Sequence, residues 1–274
     1  MNLATALIPR DPQPMIHIPA NPAWHPVFDL AAWAGGAAVG YGLYRWRLKG
    51  AVADVAAKTG PGYFAALAAG AVIGAWLAGS LNTLSGPAPT LSHSIAGALA
   101  GAIVFVEVYK AVRGVRGSTG GVFVGSLATG VIIGRVGCLM AGLPDFTYGT
   151  PTTLPWAVDL GDQIGRHPVQ VYESLSVALF LAFYLAGLAV RAPWALRRGF
   201  YAFVAWYGAQ RYLWEFLKPY PRLIGPLNLF HLLCIGLVIY GCVYFVRDLA
   251  RDHAAQERAL PVPGPDHLPV RDLP

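Results

Sequence analysis

The side chains able to do chemistry in this chain sit in or beside apolar runs. Arg135 and Cys138 lie in Gly134-Arg135-Val136-Gly137-Cys138, near the end of one run. Glu173 ends Arg166-His167-Pro168-Val169-Gln170-Val171-Tyr172-Glu173, where another run begins. Tyr207, Arg211 and Glu215 fall at four-residue intervals in Tyr207-Gly208-Ala209-Gln210-Arg211-Tyr212-Leu213-Trp214-Glu215-Phe216, and His93 stands just before the run that opens at Ser94. An arginine within a lipid-embedded helix is costly and marks a functional position. Its planar fork suits phosphate oxygens. Two guanidiniums held close repel unless an anion lies between them, and a phospholipid phosphate is the natural anion in a membrane. A histidine takes up or releases a proton near neutral pH. Together these groups suit gripping an anionic headgroup and moving a proton beside it.

Each residue also has a plainer reading that the sequence leaves open. Arg211 and Glu215 have the spacing of an intrahelical ion pair. Arg135 can snorkel to the interface, Glu173 suits the positive end of a helix dipole, and His93 suits a cap. Glu107 and Lys110, three residues apart near the other end of their helix, read as a local pair outside the site.

The elements that must position these groups are membrane helices. Of the 274 residues, 55% are hydrophobic and only 12% charged, roughly half the charge of a soluble domain. The 32 glycines and 22 prolines are interleaved with long apolar runs, which excludes a low-complexity chain. The pattern predicts an all-α integral membrane protein with about seven spans, near 27–44, 63–81, 94–112, 120–141, 169–190, 199–216 and 227–246, each close to the roughly 20 residues a bilayer core requires. The net charge of +6 comes mostly from short loops, the signature of membrane topology rather than of nucleic-acid binding. Arg45, Arg47, Lys49 and Lys58 follow the first span, Lys110, Arg113 and Arg116 the third, Arg191, Arg197 and Arg198 the fifth, and Arg247, Arg251 and Arg258 the last. The alternate loops are poorer in Lys and Arg, apart from Lys218 and Arg222 after the sixth span. That asymmetry predicts an extracytoplasmic N-terminus and a cytoplasmic C-terminus.

Three parts follow: an extracytoplasmic segment 1–26, a transmembrane domain 27–247 with a lid-like extracytoplasmic loop at 142–168, and a disordered cytoplasmic tail 248–274. The loop is too long and too rich in Pro and Trp to be a simple connector. With this topology His93, Arg135, Glu173, Tyr207, Arg211 and Glu215 converge beneath the outer surface. The three cysteines, Cys138, Cys234 and Cys242, all lie in apolar runs and display neither a disulfide framework nor a zinc-binding spacing. No metal and no cofactor is expected.

These blocks, together with Gly149-Thr150-Pro151-Thr152 and Leu154-Pro155-Trp156, resemble the prolipoprotein diacylglyceryl transferase family of the bacterial inner membrane. The resemblance covers roughly residues 93–216, with the motifs in the family's order. It implies a multi-pass enzyme that moves a diacylglyceryl group from phosphatidylglycerol to the lipobox cysteine thiol of a prolipoprotein, forming a thioether and releasing glycerol phosphate. It further implies catalytic positions at His93, Tyr207, Arg211 and Glu215, and substrate-binding positions at Arg135, Cys138, Gly149 and Glu173. His93 would be the general base, and Arg135 and Arg211 the phosphate-binding arginines. The chain departs from the family pattern at Cys138, where Asn is usual, and at Ala141-Gly142-Leu143, where Asn-Gly-Glu is usual, leaving Asp145 as the nearest carboxylate. The alternatives are a transferase with another acceptor, or a phospholipid-binding membrane protein without catalysis.

Overall fold

A computed structural model describes residues 15–84 and 91–259. Long helices occupy the seven apolar stretches: α1 (Trp24–Leu43), then after a short α2 (Lys49–Lys58) come α3 (Pro61–Leu84), α4 (Ile95–Arg113), α5 (Val124–Ala141), α6 (Val169–Ala189), α7 (Pro193–Glu215) and α8 (Leu229–Ala259). α1 passes into α2 through a π-helical turn, Tyr44–Leu48. Among the described residues five helical stretches are long and apolar enough to cross a membrane: Pro61–Leu84, Ile95–Arg113, Gly120–Ala141, Val169–Ala189 and Leu229–Ala255. The protein is therefore an all-helical, multi-pass membrane protein. α1 and α7 have the length but are not among these five; α7 carries Arg197, Arg198, Arg211 and Glu215.

Two boundaries lie more than four residues from the sequence expectation. α7 begins at Pro193 rather than near Gly199, because proline suits the first helical turn. α8 runs on to Ala259, so a disordered tail does not begin at 248. Ion pairs hold that extension: Arg198 Nη1 lies 2.6 Å from Asp252 Oδ2 and 3.6 Å from Asp248, and Arg197 lies 3.0 Å from Asp252 Oδ1. The expectations for residues 1–14, for 85–90 in the uncharged loop and for 260–274 fall outside the described residues.

α5 is the central support, packed between α1 and α6, with α6 against α7 and α7 against α8. The core between them is built of Val124, Ala128, Val131, Val177, Phe180, Tyr184, Phe203 and Val204. α3 and α4 form a hairpin whose backbones touch. A Cβ on Gly74 would strike the Gly97 carbonyl, and one on Gly101 would strike the Gly70 carbonyl. Small residues permit that approach in lipid.

The loop between α5 and α6 is ordered by backbone pairing. β1 (Ile16–His17) runs parallel to β2 (Val158–Asp159), and Val158 and Arg166 exchange N–H···O bonds of 3.0 and 2.9 Å. The Thr150 N–H donates to the Leu217 carbonyl at 2.6 Å, fastening the loop to the turn after α7. Leu139, Val158 and Leu160, backed by Ile18, Tyr148 and Val171, give the loop its own small core.

Candidate functional site

The loop lies against the C-terminus of α5, the N-terminus of α6 and the turn after α7. Five ionisable side chains meet there. Arg135 is 5% exposed, Arg211 3% and Lys218 1%, while Glu173 and Glu215 are fully buried. Arg135 Nε lies 2.5 Å from Glu173 Oε2, and Arg211 Nη1 approaches the same oxygen at 3.7 Å. Arg211 Nη2 pairs with Glu215 Oε1 at 3.1 Å. Lys218 Nζ ties the two carboxylates together, 2.5 Å from Glu173 Oε1 and 3.1 Å from Glu215 Oε1. Asn228 Nδ2 donates to Glu215 Oε2 at 3.3 Å, and the Asn228 N–H donates to His231 Nδ1 at 3.1 Å. The Tyr207 hydroxyl is 3.4 Å from Arg211 Nη1.

Buried charges persist only when paired and hydrogen-bonded, since the desolvation of each is costly. Here three cations face two carboxylates, so the cluster holds one positive charge in excess. The two arginines do come together, and the anion between them is Glu173. The Arg211–Glu215 ion pair is present as well, but as one edge of the network. Glu173, reached by Arg135, Arg211 and Lys218, has far more than a helix dipole holding it.

A second arm of polar groups leads outward from Arg135. Its Nη1 is 3.9 Å from Cys138 Sγ. Cys138, one turn on in α5, neighbours Asp145, whose Oδ1 is 2.9 Å from His25 Nδ1 at the start of α1. His25 Nε2 lies 3.5 Å from Asp29. Burial pushes the Asp145 carboxyl up, but hydrogen bonds with His25 and Thr147 outweigh it and hold the group below the usual carboxylate range. His93 is exposed beyond this arm, its ring 6.2 Å from that of His25 and 5.8 Å from Trp76. His93 thus stands at the rim, outside the arginine cluster and next to His25.

Gly149 has a packing role: a Cβ there would collide with the His167 carbonyl and Val169. That close approach lets Thr150 pair with both Leu217 and His167, whose N–H donates to the Thr150 carbonyl at 3.0 Å. Burial lowers the pKa of His167 in the loop. Trp156 Nε1 donates to the Tyr172 hydroxyl at 2.7 Å, and Tyr172 packs against Trp214 at 5.2 Å, so the loop rests on α6 and α7 through aromatic rings.

Sequence reasoning missed Lys218, Asn228, His231 and His25. Lys218 stands out on the sequence only as a basic residue in a loop that should be poor in them. Its position three residues after Glu215 is the signal for a buried partner rather than a topological exception. His25 has the four-residue spacing to Asp29 of a helical pair.

No solved structure matches the chain. Curated relatives do, each named phosphatidylglycerol–prolipoprotein diacylglyceryl transferase. The Polynucleobacter asymbioticus protein is 33% identical over 129 residues, 45% of this chain and 48% of the relative. The Cupriavidus metallidurans protein is 31% identical over 139 residues, 47% and 49% of the two chains. The Methylococcus capsulatus protein is 29% identical over 167 residues, 58% and 62%. The first two alignments span about half the length of the relatives they match. Residues 31–247, which include Arg135, Glu173, Arg211 and Glu215, match the family described as prolipoprotein diacylglyceryl transferase, and the chain belongs to that family.

Proposed function

We propose that the protein transfers a diacylglyceryl group from phosphatidylglycerol to the lipobox cysteine of a prolipoprotein, at the outer leaflet of the bacterial inner membrane. The single observation that carries this reading is the excess positive charge of the buried cluster, drawn from α5, α7 and the turn after α7. Such a cluster is complete only with an anion of one charge, and a phosphodiester headgroup supplies it. The names of the relatives, which specify phosphatidylglycerol and a prolipoprotein, support the same substrates. In this reading the chain crosses the membrane seven times, with segment 1–26 and the loop 142–168 outside and the residues from 248 in the cytoplasm.

The chemistry asked of the site is displacement at carbon. The acceptor thiol loses its proton, its sulfur attacks the glyceryl CH2, and the bond from that carbon to the phosphate oxygen breaks. The product is a thioether, and glycerol phosphate leaves with one more negative charge than the diester carried. Arg135, Arg211 and Lys218 stabilise that developing charge in a site closed to water, where such stabilisation is strongest. His93, at the rim, takes the thiol proton. Tyr207 and Glu215 hold Arg211 in place, and Glu173 and Gly149 act through the arginines and the loop.

The test is complementation of a strain depleted of its own transferase, with the mass of a reporter lipoprotein as readout. Wild-type protein should restore the diacylglyceryl mass increment, and Arg135→Ala and Arg211→Ala should not. A stably inserted wild-type protein that restores nothing would rule the transferase reading out. Retained phosphatidylglycerol binding would then favour a phospholipid-binding role, for which His93→Ala is silent.

A further inference from the structure

The polar arm outside the arginine cluster contains donors that the phosphate-gripping reading does not use. His25 at the start of α1, Cys138 in the last turn of α5 and Asp145 in the short helical turn after α5 each present one ligand atom. These atoms lie within 4.8 Å of one another, and the residues are half-buried. They come from separate places in the chain, which is why no zinc-binding spacing is visible in the sequence. An imidazole, a thiol and a carboxylate form the donor set that Zn2+ prefers, and three protein ligands with an open fourth position describe a catalytic rather than a structural zinc site.

We infer that His25, Cys138 and Asp145 bind one Zn2+ ion whose fourth position receives the acceptor cysteine thiol. This rests on the transferase reading above. Charge supports the site: a thiolate and a carboxylate neutralise the ion, so Zn2+ adds no net charge beside Arg135, 3.9 Å from Cys138 Sγ. Packing of the ligands supports it too. Thr147 Oγ1 donates to Asp145 Oδ2 at 2.6 Å, leaving Oδ1 turned towards His25. Such outer hydrogen bonds orient ligands.

Access is from the rim, where His93 is exposed beside His25. An entering thiol that coordinates Zn2+ gives up its proton, since a coordinating thiol is deprotonated outright. His93 is placed to carry that proton to solvent. The metal-held sulfur then attacks the glyceryl CH2, and the bond from that carbon to the phosphate oxygen breaks. Its electron pair stays on the leaving glycerol phosphate, which the arginines hold. Arg135 joins the two halves, one nitrogen at Cys138 and another at Glu173, so nucleophile and leaving group flank one side chain.

The test uses the full chain in lipid nanodiscs, stripped with a chelator and reloaded with Zn2+ or Co2+. One metal ion per chain should bind. Co2+ should give a thiolate charge-transfer absorption that Cys138→Ala abolishes and Cys242→Ser leaves intact. Asp145→Asn, which keeps the thiol, should weaken the metal at least ~10-fold; loss of ligation on this scale is what even outer-sphere changes cause. A cysteine-containing peptide should alter the Co2+ spectrum, and chelation should abolish transfer that Zn2+ restores. Sub-stoichiometric metal, or an unchanged band in Cys138→Ala, would overturn the site. Undiminished transfer by chelated protein would overturn the thiol-binding role while leaving the transferase reading standing. A metal-loaded protein whose spectrum responds to the peptide but which never transfers would support the site and remove the transferase reading instead.

Discussion

Lys218 offers the sharpest test of the excess-charge argument. Its ammonium is 1% exposed, 2.5 Å from Glu173 and 3.1 Å from Glu215. Lys218→Met keeps most of the side chain's bulk and removes the charge, leaving two guanidiniums against two carboxylates. Removing one partner of a buried ion pair costs ~3–5 kcal/mol of stability. The same change removes the attraction between the ammonium and a bound phosphate. At a separation of about 6 Å and an effective dielectric constant of about 20, that attraction is roughly 3 kcal/mol. A loss of this size weakens binding about a hundredfold. The assay is native mass spectrometry of delipidated protein titrated with phosphatidylglycerol, alongside thermal unfolding in the same detergent. Lys218→Arg retains the charge and should bind like wild type, which separates charge from folding. Lys218→Met with undiminished affinity for the anionic lipid would refute the idea that the cluster's surplus charge selects its ligand.

Other outcomes follow from single contacts. Arg135→Lys replaces a planar fork by a point charge on a shorter reach, and should lower transfer at least ~10-fold, as loss of a charged hydrogen bond worth ~1.5–3 kcal/mol implies; lipoprotein mass in the depleted strain reads it. Gly149→Ala drives a methyl group into the His167 carbonyl and should cost ~1–3 kcal/mol, seen as faster proteolysis within 142–168. Asp162 has its pKa lowered by the hydrogen bond from Arg166, 2.6 Å away. Its contribution is therefore complete above the unfolded value of about 3.9 and is lost as pH falls through the lower folded value. Hydrogen exchange of the 161–166 backbone should rise only in that acid window, and a rise near neutrality would contradict the assignment. Gly74→Val puts branched carbons against the Gly97 carbonyl and should separate α3 from α4, displacing His93 and lowering transfer, with disulfide crosslinking between engineered cysteines on α3 and α4 as the structural check.

The helices were legible because hydrophobic length is a local property: all seven apolar stretches are helical. The convergence of Arg135 and Arg211 was legible from the alternating direction of the helices, and the loop 142–168 from its composition. What the sequence concealed is what depends on contacts between distant segments. Glu173 looks like a helix-start residue until α5 and α7 bring guanidiniums to it. Lys218 reads as a topological irregularity because loop-charge counting treats every lysine as solvated. The Cys138–Asp145–His25 grouping joins α1 to the end of α5, a packing that no spacing along the chain encodes. The extension of α8 to Ala259 depends on Arg197 and Arg198 of α7, which reach Asp252 only after the two helices have packed.

The position of Glu173 bears on turnover. Its carboxylate already occupies the arginines, so the protein does not hold bare repelling guanidiniums in its interior. Under the proposed function, an incoming headgroup shares these arginines with the resident carboxylate, so its affinity reflects the one surplus charge rather than the full strength of three cations. The departing glycerol phosphate meets the same competing carboxylate, which hastens product exit. A buried acid is then what keeps a strongly cationic pocket from trapping its own product.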